Sequence, residues 1–156
     1  MNYVYSYPTK IGKISIYSEN NKITALSLED IKQNENFCVL ETLEIKEAFN
    51  QIKLYLDGKL KRFNLPIYFN QTAFRNKVYE ETLKIKYGDV ITYKELATRI
   101  GNPLASRAVG NALNKNKIMI IIPCHRVVGQ KNNLTGYYYG IGLKQKLLNL
   151  EKNNKD

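Results

Sequence analysis

The apolar run Ile118-Met119-Ile120-Ile121-Ile122, followed at once by Pro123, constrains this chain more than any other stretch. Five apolar residues in succession read as a buried strand. Pro123 has no N–H to give to a sheet, so regular pairing must fail there. The polar triplet Cys124-His125-Arg126 therefore falls at a break in the interior, before Val127-Val128 re-enters it. His125 is the only histidine in 156 residues. A lone reduced cysteine is most often a small buried hydrophobe. It becomes a nucleophile only as thiolate, in cationic or hydrogen-bonded surroundings. His125 and Arg126 are the residue types that supply such surroundings. Successive strand residues face opposite ways, so Cys124 and His125 can communicate only through a turn or a bridging water.

The two halves of the chain read differently. Tyr3–Tyr7, Ile14–Ser18 and Ile23–Leu28 are rich in β-branched and aromatic residues and are separated by turn chemistry. They predict a small antiparallel meander. Residues 30–36 are polar and predict a loop. Helical spacing follows over Val39–Leu56, with Leu43, Phe49, Ile52 and Leu56 on one face, ended by Asp57-Gly58. Leu60–Asn70, containing Pro66, predicts an extended connector. The boundary is placed here, giving an N-terminal α/β domain over 1–70 and a second domain over 71–156.

In the second half Thr72 is a cap for a helix through Phe74, Val78, Leu83 and Ile85, stopping at Tyr87-Gly88. Thr92 caps a short helix with Leu96, Ala97 and Ile100 inward. Gly101-Asn102-Pro103 turns the chain into a third helix, about Leu104–Leu113. Such a pair predicts a helix-turn-helix or an ordinary helical corner. The third helix carries Ala105, Ser106, Ala108, Gly110 and Ala112, with Arg107 as its one long cation. Small side chains let its backbone approach a flat partner while Arg107 reaches in. The triplet Tyr137-Tyr138-Tyr139 between Gly136 and Gly140 is either a wall for a planar ligand or a packed aromatic turn. A last helix over Leu143–Leu150, with Leu147 and Leu150 inward, precedes Glu151 and a frayed tail.

The net charge of +10 and pI of about 9.5 point to an anionic partner, nucleic acid ahead of membrane. A basic surface with no partner is the plain alternative. No apolar run is long enough to span a bilayer, and Met1–Pro8 lacks the pattern of a signal peptide. Cys38 and Cys124 make no disulfide framework and fit a reduced compartment, cytoplasmic or, in a eukaryote, nuclear. Cys38 reads as a structural or surface thiol. Two cysteines and one histidine give no zinc-ligand spacing, so no metal is expected.

Taken together, Pro123-Cys124-His125-Arg126-Val127 resembles the signature of the methylated-DNA–protein-cysteine methyltransferases, the 6-O-alkylguanine-DNA alkyltransferases. Further motifs fall in order at the family's spacing. They are Gly88-Asp89-Val90-Ile91-Thr92-Tyr93, then Gly101-Asn102-Pro103 with Ser106-Arg107-Ala108-Val109-Gly110, Asn116, Gly136-Tyr137, and Lys144 with Leu147-Leu148 and Glu151. The likeness is strong over 72–151 and weak over the first seventy residues. It implies an α+β chain: a small ribonuclease H-like antiparallel sheet with a helix, then a winged helix-turn-helix-like domain. It also implies a monomer that uses no cofactor and acts on double-stranded DNA containing alkylated guanine. The 6-oxygen's alkyl group passes to the protein's own cysteine, once, and the 4-oxygen of thymine is a second candidate target.

By matched position Cys124 is the acceptor, His125 the base through a water, and Glu151 the group that orients His125. Asn116 holds the cysteine turn, and Tyr93 donates to the leaving guanine and crowds the flipped nucleotide's phosphate. Arg107 fills the gap in the base stack. Ser106, Ala108 and Gly110 lie on the helix that meets DNA, and Arg75, Lys94, Asn102 and Gln130 are candidates for backbone contacts. Val127, Tyr137, Tyr138 and Tyr139 line the pocket for base and alkyl group. The family usually has smaller residues at the last two positions, so bulky adducts such as benzyl are expected to be refused. Lys117 and Met119 stand where prolines are common. The alternative within the fold is a lesion-binding relative that lacks the acceptor cysteine. Outside it stand a sequence-specific winged-helix regulator and a thiol hydrolase.

Overall fold

Asn20 and Asn21 both adopt left-handed backbone (φ 51° and 62°), the two-residue geometry that matches the twist of paired strands. They fold strand β2 (Gly12–Glu19) onto β3 (Lys22–Ser27), while Lys10-Ile11 joins β1 (Asn2–Thr9) to β2. The computed structural model describes residues 1–32 and 36–156. Three positions of the polar stretch read as a loop, 33–35, lie outside the described residues. The predicted meander is present, and a fourth strand, β4 (Phe37–Val39), runs parallel to β1 to give the order β3-β2-β1-β4. The spacing predicts helix from Val39 onward, and Val39 itself departs from it. It is strand because it pairs with Val4, a long-range contact that outweighs local propensity.

Helix α1 (Leu43–Leu56) starts three residues later, where the Thr42 hydroxyl accepts from the Ile45 N–H. The predicted inward face is rotated. Leu43 is 86% exposed, and the buried apolar residues are Ile45, Ala48, Ile52, Tyr55 and Leu56. Phe49 lies to the side, its ring stacked on Tyr7 at 3.9 Å between centroids. Val4, Ile14, Ile16, Ile23 and Leu26 complete this core from the sheet. The free edge of β3 is covered by two short segments. Ile23 N–H donates to Pro66 O, and Leu26 N–H donates to Lys117 O, both at 2.8 Å. Two compact units result: residues 1–69 with 117–119, and residues 70–116 with 120–156.

The run 118–122 is buried, as its composition demands, but it is not a strand. Ile118 alone makes a bridge, to Leu26; 119–121 form a turn and 122 a bend. Ile120 takes φ 69°, a left-handed conformation rare for a β-branched residue. Such backbone cannot continue a ladder, and it costs on the order of 1–3 kcal/mol that the surrounding burial must offset.

In the second unit α2 (Ala73–Thr82) is capped by Thr72 but ends before the predicted Tyr87-Gly88. Lys84 and Ile85 N–H turn back to Glu81 and Thr82 carbonyls, closing the last turn. Strand β5 (Ile91–Thr92) leads into α3 (Tyr93–Arg99), with Thr92 as cap. Gly101 (φ 83°) makes the turn into α4 (Ser106–Asn114). Leu104, expected to begin that helix, lies outside it and is 95% exposed. Tyr79 Oη donates to Ala112 O at 2.7 Å, tying α2 to α4. Strand β6 (Val127–Val128) pairs parallel with β5. Helix α5 (Ile141–Asn154) runs beyond its predicted end, so the tail is not frayed from Lys152. Lys155 donates to Asp89 at 2.6 Å and holds it down. The inward residues of α5 are Lys144, Leu147 and Glu151, with Leu150 half-buried.

Candidate active site

Pro123 breaks the chain where expected, and Cys124–Arg126 form a single 3-10 turn rather than a strand. The opposite-face problem therefore does not arise. Asn116, just past α4, reaches this turn from one side. Its Nδ2 donates to Ile122 O at 3.1 Å and to Cys124 Sγ at 3.2 Å. Cys124 is 8% exposed. Burial pushes its thiol above the ordinary value, and the Asn116 hydrogen bond and Lys144 charge pull down without outweighing it. The resting group is a thiol that needs a base.

An imidazole lies next to it on the same turn. His125, fully buried, places Nε2 2.6 Å from Glu151 Oε2. Burial of Glu151 opposes its ionisation. The hydrogen bonds and charges of His125 and Arg126 overcome that and hold the carboxyl at about 2. An ionised carboxylate only accepts, so Nε2 carries the proton and Nδ1 the lone pair. Arg126 grips the same carboxylate side-on, Nε to Oε1 at 2.8 Å and Nη2 to Oε2 at 3.1 Å, while Nη1 donates to Ile85 O at 2.7 Å. Gly88 N–H donates to Glu151 Oε1 at 3.1 Å. Glu151 sits well inside α5 rather than at its end.

Lys144, one face-repeat before Glu151, is fully buried. Its Nζ donates to Val127 O at 2.5 Å and to Tyr93 Oη at 3.4 Å. It faces the rings of Tyr93 and Tyr137 at 5.5 and 5.8 Å. Burial lowers its ammonium to about 8, with the charge of an ionised Cys124 acting the other way. Burial, and then the charge of Cys124, raise the Tyr93 phenol. The same two causes raise Tyr137. Both phenols thus keep their protons. A Cβ on Gly136 would come within 3.5 Å of Tyr93 Oη, and one on Gly110 within 3.9 Å of its ring.

The structure thus brings Cys124, His125, Glu151, Asn116, Tyr93, Val127 and Tyr137 together in one unit. The other tyrosines divide. Tyr139 is half-buried with its ring edge-on to Tyr137 at 6.2 Å, whereas Tyr138 is 59% exposed. Arg107, Ala108, Asn102, Lys94 and Gln130 are exposed; Ser106, Gly110 and Arg75 are half-buried. Arg75 Nη1 donates to Gln71 Oε1 at 3.4 Å. Helix α4 begins without a side-chain cap, so no side chain takes up its first-turn N–H groups.

The sequence offers Arg126 only as a cation for the thiol's surroundings and Lys144 only as a motif residue; the structure pairs the first with Glu151 and the second with Val127 O and Tyr93. Their signal was a cation at inward positions: Lys144 and Glu151 bracket Leu147 at spacings of three and four. Among the described residues no three His, Cys, Asp or Glu side chains gather as a metal would need. No helix among them is long and apolar enough to cross a membrane.

Comparison with known proteins bears on the whole chain. A family model described as 6-O-methylguanine DNA methyltransferase, DNA binding domain, matches residues 73–153, and one described as the ribonuclease-like domain matches residues 2–69. A methylated-DNA–protein-cysteine methyltransferase of Metallosphaera sedula is 41% identical over 152 residues, covering 94% of this chain and 90% of its own. Its counterpart in Methanosarcina barkeri is 49% identical over 109 residues, 70% of this chain and 69% of its own. The crystal structure of Mycobacterium tuberculosis OGT in complex with DNA superposes with a TM-score of 0.90 at 33% identity, covering 97% of this chain and 94% of that one.

Proposed function

This chain belongs to the 6-O-methylguanine DNA methyltransferase family, and from that premise we propose that it repairs alkylated DNA by moving the alkyl group of 6-O-methylguanine onto Cys124, once per molecule. The observation that carries this is the buried thiol held by Asn116 at 3.2 Å beside a histidine whose proton-bearing nitrogen is fixed by Glu151. The proton leaves Sγ for His125 Nδ1 through a water. Sulfur attacks the alkyl carbon; the C–S bond forms as the C–O6 bond breaks, and guanine departs as its anion or takes a proton at a ring nitrogen. Tyr93 Oη is the donor for that proton, and Lys144 at 3.4 Å supports the phenolate that results. A thioether has no leaving path under these conditions, so the protein is spent after one transfer. No cofactor enters this balance. Methylated 4-oxygen of thymine offers the same bond to the same sulfur.

A base in a duplex hides its 6-oxygen, so the nucleotide must be extruded. Residues 71–156 are read as the domain that does this, with 1–70 as a separate α/β domain. Helix α4 suits close approach: Ala108 is exposed, Ser106 and Gly110 half-buried, and Arg107 projects from the same helix to replace the base. Lys94, Asn102, Gln130 and Arg75 are assigned to the phosphates. Val127, Tyr137 and Tyr139 enclose the base and its alkyl group. The exposure of Tyr138 leaves it at the rim. A monomer suffices, since every assigned site residue comes from one unit. The lesion-flagging alternative binds without transfer, and the presence of Cys124 is what disfavours it. Titration with a duplex containing 6-O-methylguanine decides between them. Repair should proceed to one lesion per protein and stop; binding with no loss of lesion would overturn the proposal.

A further inference from the structure

Glu151 is shared. Its Oε2 receives both His125 Nε2 at 2.6 Å and Arg126 Nη2 at 3.1 Å, and its Oε1 receives Arg126 Nε at 2.8 Å. All three side chains are buried. A carboxylate alone against an imidazole would favour the imidazolium, because protonation would neutralise a buried charge. Here the guanidinium, always charged, has already neutralised it. A proton on His125 would leave the cluster with net positive charge out of water, a costly state. We propose that Arg126 is a positioning residue that keeps His125 in its neutral, proton-accepting form by taking up the charge of the carboxylate the two share. The inference rests on the reading of His125 as base, and it adds a reason why that base is available at neutral pH.

The other groups around His125 act in the same direction or are neutral, save the Asp89 carboxylate, which has Lys155 as its own partner. Lys144 of α5 adds positive charge, and the Cys124 thiol on the same turn is uncharged at rest. The Tyr87 ring faces the guanidinium at 5.8 Å, and Asp89, paired with Lys155, acts on Arg126 from farther out. Burial is the largest influence holding the imidazole below its ordinary value, and the charges of Arg126 and Lys144 add to it against Glu151.

Because His125 is the only histidine in the chain, its ring protons give one unambiguous titration by NMR in the DNA-free protein. Wild-type His125 should titrate below 6.5. In Arg126→Met the midpoint should rise by about one to three units, the range an opposite charge imposes at this distance. The rate of alkyl transfer at pH 7 should fall and recover as pH is raised. Arg126→Lys, which keeps the charge, should leave the midpoint near wild type. If Arg126→Met does not fold, Arg126→Gln carries the same expectation. A wild-type midpoint above 6.5, or an uncharged variant with an unmoved midpoint, would overturn the proposal. The titration needs no substrate, so a protein that failed to transfer alkyl groups would leave this result readable.

Discussion

Asn116 does two things with one nitrogen. It gives the buried Ile122 carbonyl a second donor, beside the Cys124 N–H at 2.7 Å, and it touches the sulfur. Asn116→Ala should therefore cost about 0.5–1.5 kcal/mol, the net worth of one hydrogen bond, since the carbonyl keeps its other donor. It should also slow transfer by roughly tenfold or more, since about 1.4 kcal/mol of misplacement is enough for that. Thermal unfolding and single-turnover transfer read the two separately. Tyr93→Phe isolates chemistry from packing. The ring still fills the space before Gly110, but the hydroxyl beside Lys144 is gone. Transfer should fall by about 10²-fold, the lower range for a lost general acid, while affinity for lesion DNA stays within a few fold. Unchanged transfer would remove Tyr93 from the chemistry.

At the scale of elements, the caps show what local sequence can dictate. Thr72 and Thr92 each accept from the N–H three residues on, and both were legible because an N-cap is a local bond. Thr92→Ala should lower stability by about 1 kcal/mol, seen as a shifted denaturant midpoint with unchanged slope. The strands β1 to β3 were legible for the same reason, through turn residues and alternation. What could not be read is set by long-range contacts. Val39 is strand because of Val4, and Leu43 is exposed because the sheet selects the face of α1 on which Ile45, Ala48 and Ile52 lie. The run ending in Ile122 is buried as its composition predicts but is not the strand that composition also predicts, because nothing local marks Ile120 as left-handed. At the site, the motif residues are legible by their order, Lys144 and Arg126 among them, but the partners that give those two their work lie 17 and 25 residues away. The tyrosine turn carries one more expectation. With Tyr138 exposed and Tyr139 packed on Tyr137, Tyr139→Ala should admit 6-O-benzylguanine more readily than the wild type does, measured as the rate of inactivation. Equal rates would show that Tyr139 does not set pocket size.

Across the molecule, charge is unevenly spread. Residues 70–116 and 120–156 hold 14 Lys and Arg against 6 Asp and Glu; the remainder hold 10 against 8. Binding to DNA should accordingly weaken with salt, and Arg107→Ala should weaken it further while reducing lesion extrusion. Acid should act on the buried cluster. Glu151 is held at about 2 against an ordinary 4.5, so its stabilisation is present above 4.5 and is lost as pH falls toward 2. His125 is held below 6.5, so the unfolded chain binds that proton first, and stability begins to fall below 6.5. Denaturant midpoints at pH 7, 5 and 3 should decline in that order, and Glu151→Gln should blunt the lower step.

Everything proposed for this site requires that Cys124 itself become alkylated. The direct measurement is the mass of the intact protein and of its Cys124 peptide after incubation with a duplex carrying one 6-O-methylguanine. One methyl should be added per molecule, located on Cys124 and absent from Cys124→Ala. Tight binding to the lesion with no change in mass, or a methyl found on Cys38 instead, would contradict it.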